Sequence, residues 1–385
     1  MTTTIELVYF EAGGGHRSAM KALNAELARS HPQWTVTSTN LQELLLPVDP
    51  VFRMTRIKSQ DVYNTLIARG WTRGSGAYLR ALQGAIRLYA SVMERELRLH
   101  WERSRPGMVV SLIPNFNGIT FRSLQAVSPG TPYVTVMTDI ADAPPHFWQE
   151  PQDQYLICGG DRAYVQARLT GWNRAERVFQ VSGMILSPSF YEPPGSPPIT
   201  RKGIGLDDET MTLLISFGGY GSAVTSTILD YLDGYGSPIQ SIVLCGRNDQ
   251  LRANLTGRSS CHAVGFTDRV ADYMRIADVF VGKPGPGSIS EALQIGLPVI
   301  VESNGRTLVQ ERYNGIWVEE RGVGVALKSF SEINKALAYL SSDGTLAAYR
   351  ARALALRNRA VFEIPKILGG ILAEGQDVVV PDARP

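Results

Sequence analysis

The 385-residue sequence predicts an α/β protein of two Rossmann-like domains facing each other across a cleft, and three observations predict it. Short continuous apolar runs recur along the chain, each followed by a glycine-bearing turn and then by apolar residues at helical spacing. That is the pattern of a parallel sheet wound with helices. The stretch from Ser187 to Gly203 carries Pro188, Pro193, Pro194, Pro197 and Pro198 among glycines and splits these repeats into two sets. The length also exceeds what one hydrophobic core ordinarily fills, while a hydrophobic content of 44% is normal for globular protein. The expected domains are 1–192 and 204–385, joined by a Pro/Gly linker at 193–203, with the last helices free to pack back on the first domain.

Taken in order, Ile5 to Phe10 reads as a buried strand running into Glu11-Ala12-Gly13-Gly14-Gly15-His16, after which Met20, Leu23 and Leu27 recur at helical spacing. The turn differs from GxGxxG, and no acidic residue closes a strand at the dinucleotide distance, which argues against a nicotinamide site. His16 stands at a helix N-terminus beside the carboxyl end of a strand, where open α/β sheets place their ligands. Val51 to Gly76 then mixes Phe52, Met54, Ile57, Leu66, Ile67 and Trp71 with Arg53, Arg56, Lys58, Arg69 and Arg73, without a core-facing period. Such a mix suits an anionic membrane surface, where apolar groups enter the interface and each Lys or Arg contributes ~1 kcal/mol. From Val51 to Arg105, eleven Lys or Arg stand against four acids, an excess of +7 in a chain that is +2 overall. Leu82, Ile86, Tyr89, Met93 and Leu97 mark one long amphipathic helix with a core stripe and a solvated basic face.

Met108 to Ile113 and Tyr133 to Met137 are the next strands, the second ending in Thr138-Asp139. Asp139 is therefore either a cleft carboxylate or a cap for the next segment, which continues through Asp142 to the aromatic loop Pro144-Pro145-His146-Phe147-Trp148. Tyr155 to Cys158 and Val178 to Val181 complete the first sheet. In the second set, Leu213 to Phe217 ends in Gly218-Gly219-Tyr220-Gly221-Ser222 before a helix at Val224 to Leu232. Ile242 to Cys245 ends in Gly246-Arg247-Asn248, Ala263 to Phe266 is a further strand, and a short helix lies around Val270 to Met274.

The stretch Ala277 to Val301 compresses a strand at Val279 to Val281, a loop Gly282-Lys283-Pro284-Gly285-Pro286-Gly287, a helix and a strand at Pro298 to Val301. Ser288 is the expected N-cap, with Glu291 at capping-box spacing. Free amides and the helix dipole there favour an anion by ~0.3–1 kcal/mol per charge; the alternative is an ordinary βαβ turn. Helices around Ala336 to Leu340, Tyr349 to Arg359 and Ile364 to Ala373 finish the chain.

Cys158, Cys245 and Cys261 lack CxxC spacing and lie in or beside apolar runs, so neither a disulfide framework nor a zinc site is expected. No basic leader and no run of eighteen apolar residues is present, so the expectation is a cytoplasmic protein attached peripherally to the inner face of the cell membrane, with no nucleic-acid partner.

At Gly13-Gly14-Gly15-His16-Arg17, Val136-Met137-Thr138-Asp139, Ser182-Gly183-Met184-Ile185, Leu244 to Asn248, Val264-Gly265-Phe266, Lys283 to Ser288 with Glu291-Ala292, and Gln310-Glu311 with Asn314, the sequence resembles the inverting GT-B glycosyltransferases. The resemblance is narrowest to the monogalactosyldiacylglycerol synthase and processive diacylglycerol glucosyltransferase family, and covers roughly residues 5 to 345. It implies that the second domain holds a UDP-hexose. Gly218, Gly219, Gly221, Ser222, Gly285, Pro286, Gly287 and Ser288 would cradle the diphosphate, the backbone at Phe266 would read uracil, and Arg247 would join the donor site. Glu291 would take the ribose hydroxyls, and Gln310, Glu311 and Asn314 would face the sugar. The first domain would take diacylglycerol, with Gly14, Gly15 and Arg17 around the acceptor and His16 and Asp139 at the reacting hydroxyl.

Two departures stand out. Glu11-Ala12 replaces the family's Asp-Thr, and bulky Arg312 and Tyr313 precede Asn314, which bears on the identity of the hexose. Two helix N-termini and the glycine amides could carry the leaving diphosphate, and no DxD pair sits at a strand end, so no metal or other cofactor is expected. The rivals are a GT-B N-acetylglucosaminyl transferase acting on a polyprenyl lipid, a UDP-sugar epimerase of the same fold, and a non-enzymatic lipid-binding protein. The last has no use for Glu291 or Gln310.

Overall fold

A computed structural model describes residues 3–11, 14–49, 52–53, 56, 75–258 and 260–376. The chain divides into two units, the first including Ala77–Ser187 and the segment from Arg359 onward, the second built mainly on Pro188–Asn358. In the first, β1 (Thr4–Tyr9), β2 (Thr35–Asn40), β3 (Met108–Ser111), β4 (Tyr133–Met137), β5 (Tyr155–Cys158) and β6 (Val178–Gln180) form one sheet in the order β2-β1-β3-β4-β5-β6. In the second, β7 (Met211–Ser216), β8 (Ile239–Gly246), β9 (Cys261–Gly265), β10 (Val279–Gly282), β11 (Val299–Glu302) and β12 (Gly324–Leu327) run in the order β12-β11-β10-β7-β8-β9. All neighbouring strands are parallel.

Each sheet reverses its winding once, between β1 and β3 and between β7 and β10. Loops that leave the carboxyl ends of strands at such a reversal diverge to opposite faces and open a crevice, so those after β1, β3, β7 and β10 are the ones placed to meet a ligand. The strands earn this buried position by composition. Leu213, Leu214, Ile215, Val279, Phe280, Val281, Val299, Ile300 and Val301 are all fully buried. In the first unit the helices Ala90–Ser104 and Asn117–Val127 cover one face through Leu97, Trp101, Ile119 and Leu124, at roughly 1.5–3 kcal/mol for each large apolar side chain removed from water.

Three expectations are corrected. The proline-rich segment is not a free linker: Arg275 bonds the carbonyls of Ser189 and Glu192, Arg269 that of Pro197, and Asp272 accepts the Gly195 amide, strapping it to the helix Val270–Arg275. The single helix expected through Leu82 and Leu97 is two, Ser75–Leu88 and Ala90–Ser104, with Tyr89 between them and no proline or glycine at the break. The edge strands β2 and β12 had no counterpart in the sequence reading. The last helix, Ala360–Gln376, packs on the helix Gly15–Ser30, and Ser182 bonds both the Arg359 amide and, through its own amide, the Glu363 carboxylate.

Gly282 ends β10 where a Cβ would lie 2.4 Å from the Ser216 carbonyl of β7, whereas the nearby Gly287 has open space around it. Gly282→Ala is expected to cost about 1–3 kcal/mol through forced separation of the two strands, with Gly287→Ala as the mild control. Urea unfolding midpoints check this; equal midpoints for the two variants would contradict it.

Candidate active site

In the first unit the helix Gly15–Ser30 starts without a side-chain cap, its Gly14 N-cap at φ 82° in the left-handed region that glycine adopts without strain. A Cβ at Gly14 or Gly15 would meet nothing within 4 Å, so the first amides of the helix open onto space. His16, half-buried on this first turn, makes a 3.0 Å hydrogen bond between its Nδ1 and the Thr138 hydroxyl at the end of β4. The Phe10 and Trp148 rings lie 6.2 and 6.0 Å from it, fixing the imidazole plane. Asp139 follows Thr138 and is buried, and its Oδ2 accepts from the Trp148 indole at 2.8 Å. The residue that holds His16 in this arrangement is thus Thr138, to which the sequence reading gave no role although it lies inside a motif it singled out. Arg17 pairs with Glu11 at 3.4 Å, an exposed contact worth little energy.

Asp142 anchors the aromatic loop that carries Trp148. Its Oδ1 accepts the Trp148 amide at 2.8 Å, and Gln166 bonds both its amide and its carbonyl. Burial pushes its carboxyl up to about 6, against the pull of the backbone amides of Trp148, Phe147 and Gln149. Of the surface residues expected near a membrane, Arg53 and Arg56 are exposed; Lys58, Arg69, Trp71 and Arg73 lie outside the described residues.

In the second unit the two glycine loops leave adjacent strands at the reversal. Gly218 and Gly221 take φ 86° and 60°, and the Gly221 amide closes a turn on the Gly218 carbonyl. A Cβ at Gly221 would strike the Cys245 carbonyl at 2.8 Å, so the loop after β7 and the end of β8 touch backbone to backbone. Ser222 accepts the Val224 amide and so initiates the helix Val224–Asp233. Phe266, after β9, is 66% exposed with the Arg247 guanidinium 5.0 Å from its ring centroid, a flat cationic platform beside the loops.

The helix Pro286–Gln294 begins one residue after Gly285, with proline in its first turn and no side-chain cap. This corrects the expected capping box: Ser288 is inside the helix, and Glu291, a turn further on, is released from capping. Glu291 has no hydrogen-bond or ion-pair partner among the described residues, and burial pushes its carboxyl up to about 7. Gln310 and Glu311 are buried in the turn Val309–Glu311, where Glu311 Oε1 meets Lys283 Nζ at 2.7 Å. Asn314 is fully buried and donates its amide to the Pro284 carbonyl at 2.8 Å, so it braces the glycine loop. Arg312 turns away to the Thr307 and Gly305 carbonyls, and the Tyr313 hydroxyl bonds Glu320.

Residues 223–327 match the glycosyltransferase family 28 C-terminal domain. The chain is 26% identical over 346 residues to monogalactosyldiacylglycerol synthase 1 of Arabidopsis thaliana, covering 85% of this chain and 63% of that one. It is 23% identical to the processive diacylglycerol beta-glucosyltransferase of Bacillus subtilis, covering 86% and 85%. It therefore spans under two thirds of the length of the Arabidopsis relative and most of the bacterial one. Among solved structures, MurG of Acinetobacter baumannii superimposes with a TM-score of 0.61 at 10% identity, over 96% of this chain and 99% of that one. HepE of Anabaena, solved in complex with UDP, gives 0.56 at 13% identity over 97% and 100%. The fold is GT-B.

Asp142 has a pH consequence. Its ordinary value is 3.8, so between about pH 4 and pH 6 the folded chain holds a proton that the unfolded chain has released, and stability falls as pH rises through that window. The loss is on the order of 3 kcal/mol at most. Asp142→Asn should flatten this part of the profile of Tm against pH; a slope equal to wild type would contradict the assignment.

Proposed function

We propose, for a chain that carries the glycosyltransferase family 28 C-terminal domain, that it is an inverting glycosyltransferase moving a hexose, galactose or glucose, from a UDP-sugar to diacylglycerol at a membrane surface. The observation that carries the donor half is Glu291. A carboxylate with no partner among the described residues, on the helix that follows the β10 glycine loop, has its desolvation cost uncompensated until a ligand supplies donors, and a ribose diol supplies two. The named relatives, a monogalactosyldiacylglycerol synthase and a diacylglycerol glucosyltransferase, support the lipid acceptor. Exposed Arg80, Arg87, Arg95 and Arg103 on the helices Ser75–Leu88 and Ala90–Ser104, alongside exposed Leu88, Tyr89, Val92 and Leu99, support anionic lipid as the working surface. No helix among the described residues is long and apolar enough to cross a bilayer.

In the reaction the acceptor hydroxyl oxygen bonds the anomeric carbon as the bond from that carbon to the UDP oxygen breaks, inverting the centre. The hydroxyl proton goes to His16. In the tautomer that donates Nδ1–H to the Thr138 hydroxyl, Nε2 is the basic nitrogen that takes this proton. Asp139, one residue beyond Thr138, holds Trp148 against the ring and adds negative charge that favours the imidazolium. The UDP diphosphate is received by the amides of Gly218–Ser222 and of the Pro286–Gln294 helix start, an arrangement that needs no metal.

Two measurements check this reading. Glu291→Gln should weaken UDP binding roughly tenfold to a hundredfold, because an amide cannot accept both ribose hydroxyls. Since the carboxyl sits near 7, wild-type UDP affinity should also fall roughly tenfold between pH 8 and pH 6 as it protonates, a dependence that the variant lacks. Calorimetric titration reads both, and identical curves for the two proteins would remove Glu291 from the site. Separately, UDP-galactose and UDP-glucose supplied with diacylglycerol in anionic vesicles should yield UDP and glycolipid. His16→Ala should cut that turnover by about 10²–10⁴ while leaving UDP affinity unchanged. Absence of glycolipid with either donor would overturn the acceptor assignment.

A further inference from the structure

Lys283 lies directly after Gly282 in the loop that leaves β10, and nothing above gives it a task. A lysine beside a phosphate-sized loop invites the reading that it binds the diphosphate. Its contacts point elsewhere. Its Nζ sits 2.7 Å from Glu311 Oε1, with the lysine side chain 30% exposed and the glutamate side chain 9%. The pair folds over Gly285: a Cβ there would lie 3.3 Å from Lys283 Cε, 3.6 Å from Nζ and 3.7 Å from Glu311 Oε1. Glu311 itself occupies the junction of the turn Val309–Glu311 and the helix Arg312–Glu320 and caps neither with its side chain. One turn on, Asn314 ties the same helix to the Pro284 carbonyl. The glycine loop and the 309–314 segment are thus joined by a charged side-chain contact, Lys283–Glu311, and a neutral one, Asn314 to Pro284.

We infer that Lys283 is a positioning residue for donor-sugar selection: it holds the buried Glu311 carboxylate in place beside the glycine loop, where it accepts hydrogen bonds from the hexose hydroxyls of a UDP-hexose. This rests on the UDP-sugar reading above and deepens it. The physical reason is the cost of a buried carboxylate without a counter-charge. Removing one partner of a buried pair leaves the other to protonate or to turn toward water, and either change removes a fixed acceptor for sugar hydroxyls. A protonated Glu311 accepts fewer hydrogen bonds and donates one, so it reads a different hydroxyl pattern. The nucleotide portion contacts neither residue in this scheme. Lys283 therefore governs affinity for the sugar part of the donor and leaves UDP alone.

The experiment compares binding of UDP, UDP-glucose and UDP-galactose to wild type, Lys283→Met, Lys283→Arg and Glu311→Gln, each from pH 6 to pH 9. Wild type should bind at least one UDP-hexose more tightly than UDP. Lys283→Met should lose that preference about tenfold or more at pH 7 while its UDP affinity stays within about twofold of wild type. The preference should return as pH rises, because a carboxyl stripped of its cation needs higher pH to ionise. Lys283→Arg keeps the charge and should retain most of the preference. Adding Lys283→Met to Glu311→Gln should change little further, since the two act as one unit. Equal losses for UDP and UDP-hexoses in Lys283→Met would overturn the inference and assign Lys283 to the diphosphate, as would full additivity of the two substitutions. If wild type binds none of the three nucleotides, the donor reading itself fails, an outcome distinct from both.

Discussion

Close approach of bare backbone at the ends of β7, β8 and β10 is the constraint on which the second unit depends. A Cβ on Gly282 would meet the Ser216 carbonyl at 2.4 Å, one on Gly246 the Gly219 carbonyl at 2.4 Å, and one on Gly221 the Cys245 carbonyl at 2.8 Å. Side chains at these positions would wedge the strand ends apart. Without them the loops lie against one another, and the Arg247 amide bonds the Gly219 carbonyl directly. Amides not used in those contacts are left at the surface of the crevice, beside a helix start with no side-chain cap. Uncapped helix amides of this kind favour an anion without needing a basic side chain in contact with it.

Carboxylates drawn away from water in this chain divide by how their charge is met. Glu6 on β1 is fully buried, and burial alone would raise its carboxyl; hydrogen bonds from His100 and Thr39 outweigh that and hold it below its ordinary value. Its Oε1 is met by these two internal partners. Asp272 is likewise satisfied, by Arg269, Arg275 and the Gly195 amide, and spends its charge on strapping down the proline-rich segment. Glu291 has burial as its only influence and is raised. A group left in that condition beside open amides is destabilising in the unliganded protein, which is what a binding residue, as opposed to a structural one, is able to bear.

Much of the first unit's chemistry follows from one short loop. Asp142 gathers backbone amides of the aromatic segment, which seats Trp148, and Trp148 in turn receives Asp139 and packs beside His16. Thr138 completes the arrangement from the end of β4. The same loop therefore sets both the orientation of the imidazole and the position of the Asp139 carboxylate, although its residues span only Thr138 to Trp148. Displacing Asp142 would disturb all of these together.

The sequence by itself determined the parallel α/β character, the interior strands and the positions of the glycine turns, because interior strands are buried on both faces and announce themselves as unbroken apolar runs. It also placed His16 on the first turn of the helix that follows β1, and Glu291 on the helix that follows the β10 loop, though a turn earlier in that helix than it stands. It did not reveal β2, whose residues TVTSTN are half-exposed, or β12, which opens on Gly324; an edge strand is held by pairing on one side and needs little apolar surface to announce it. Nor did it reveal that the proline-rich segment is strapped in place, since the arginines that hold it lie 72 to 86 residues further on. Only the tertiary structure decided that Glu291 is unpartnered among the described residues while Glu311 is paired with Lys283, that Asn314 braces a loop, and that Thr138 orients His16. Each of these depends on which side chains converge after the sheets are wound, and the spacing of residues along the chain carries no record of that convergence.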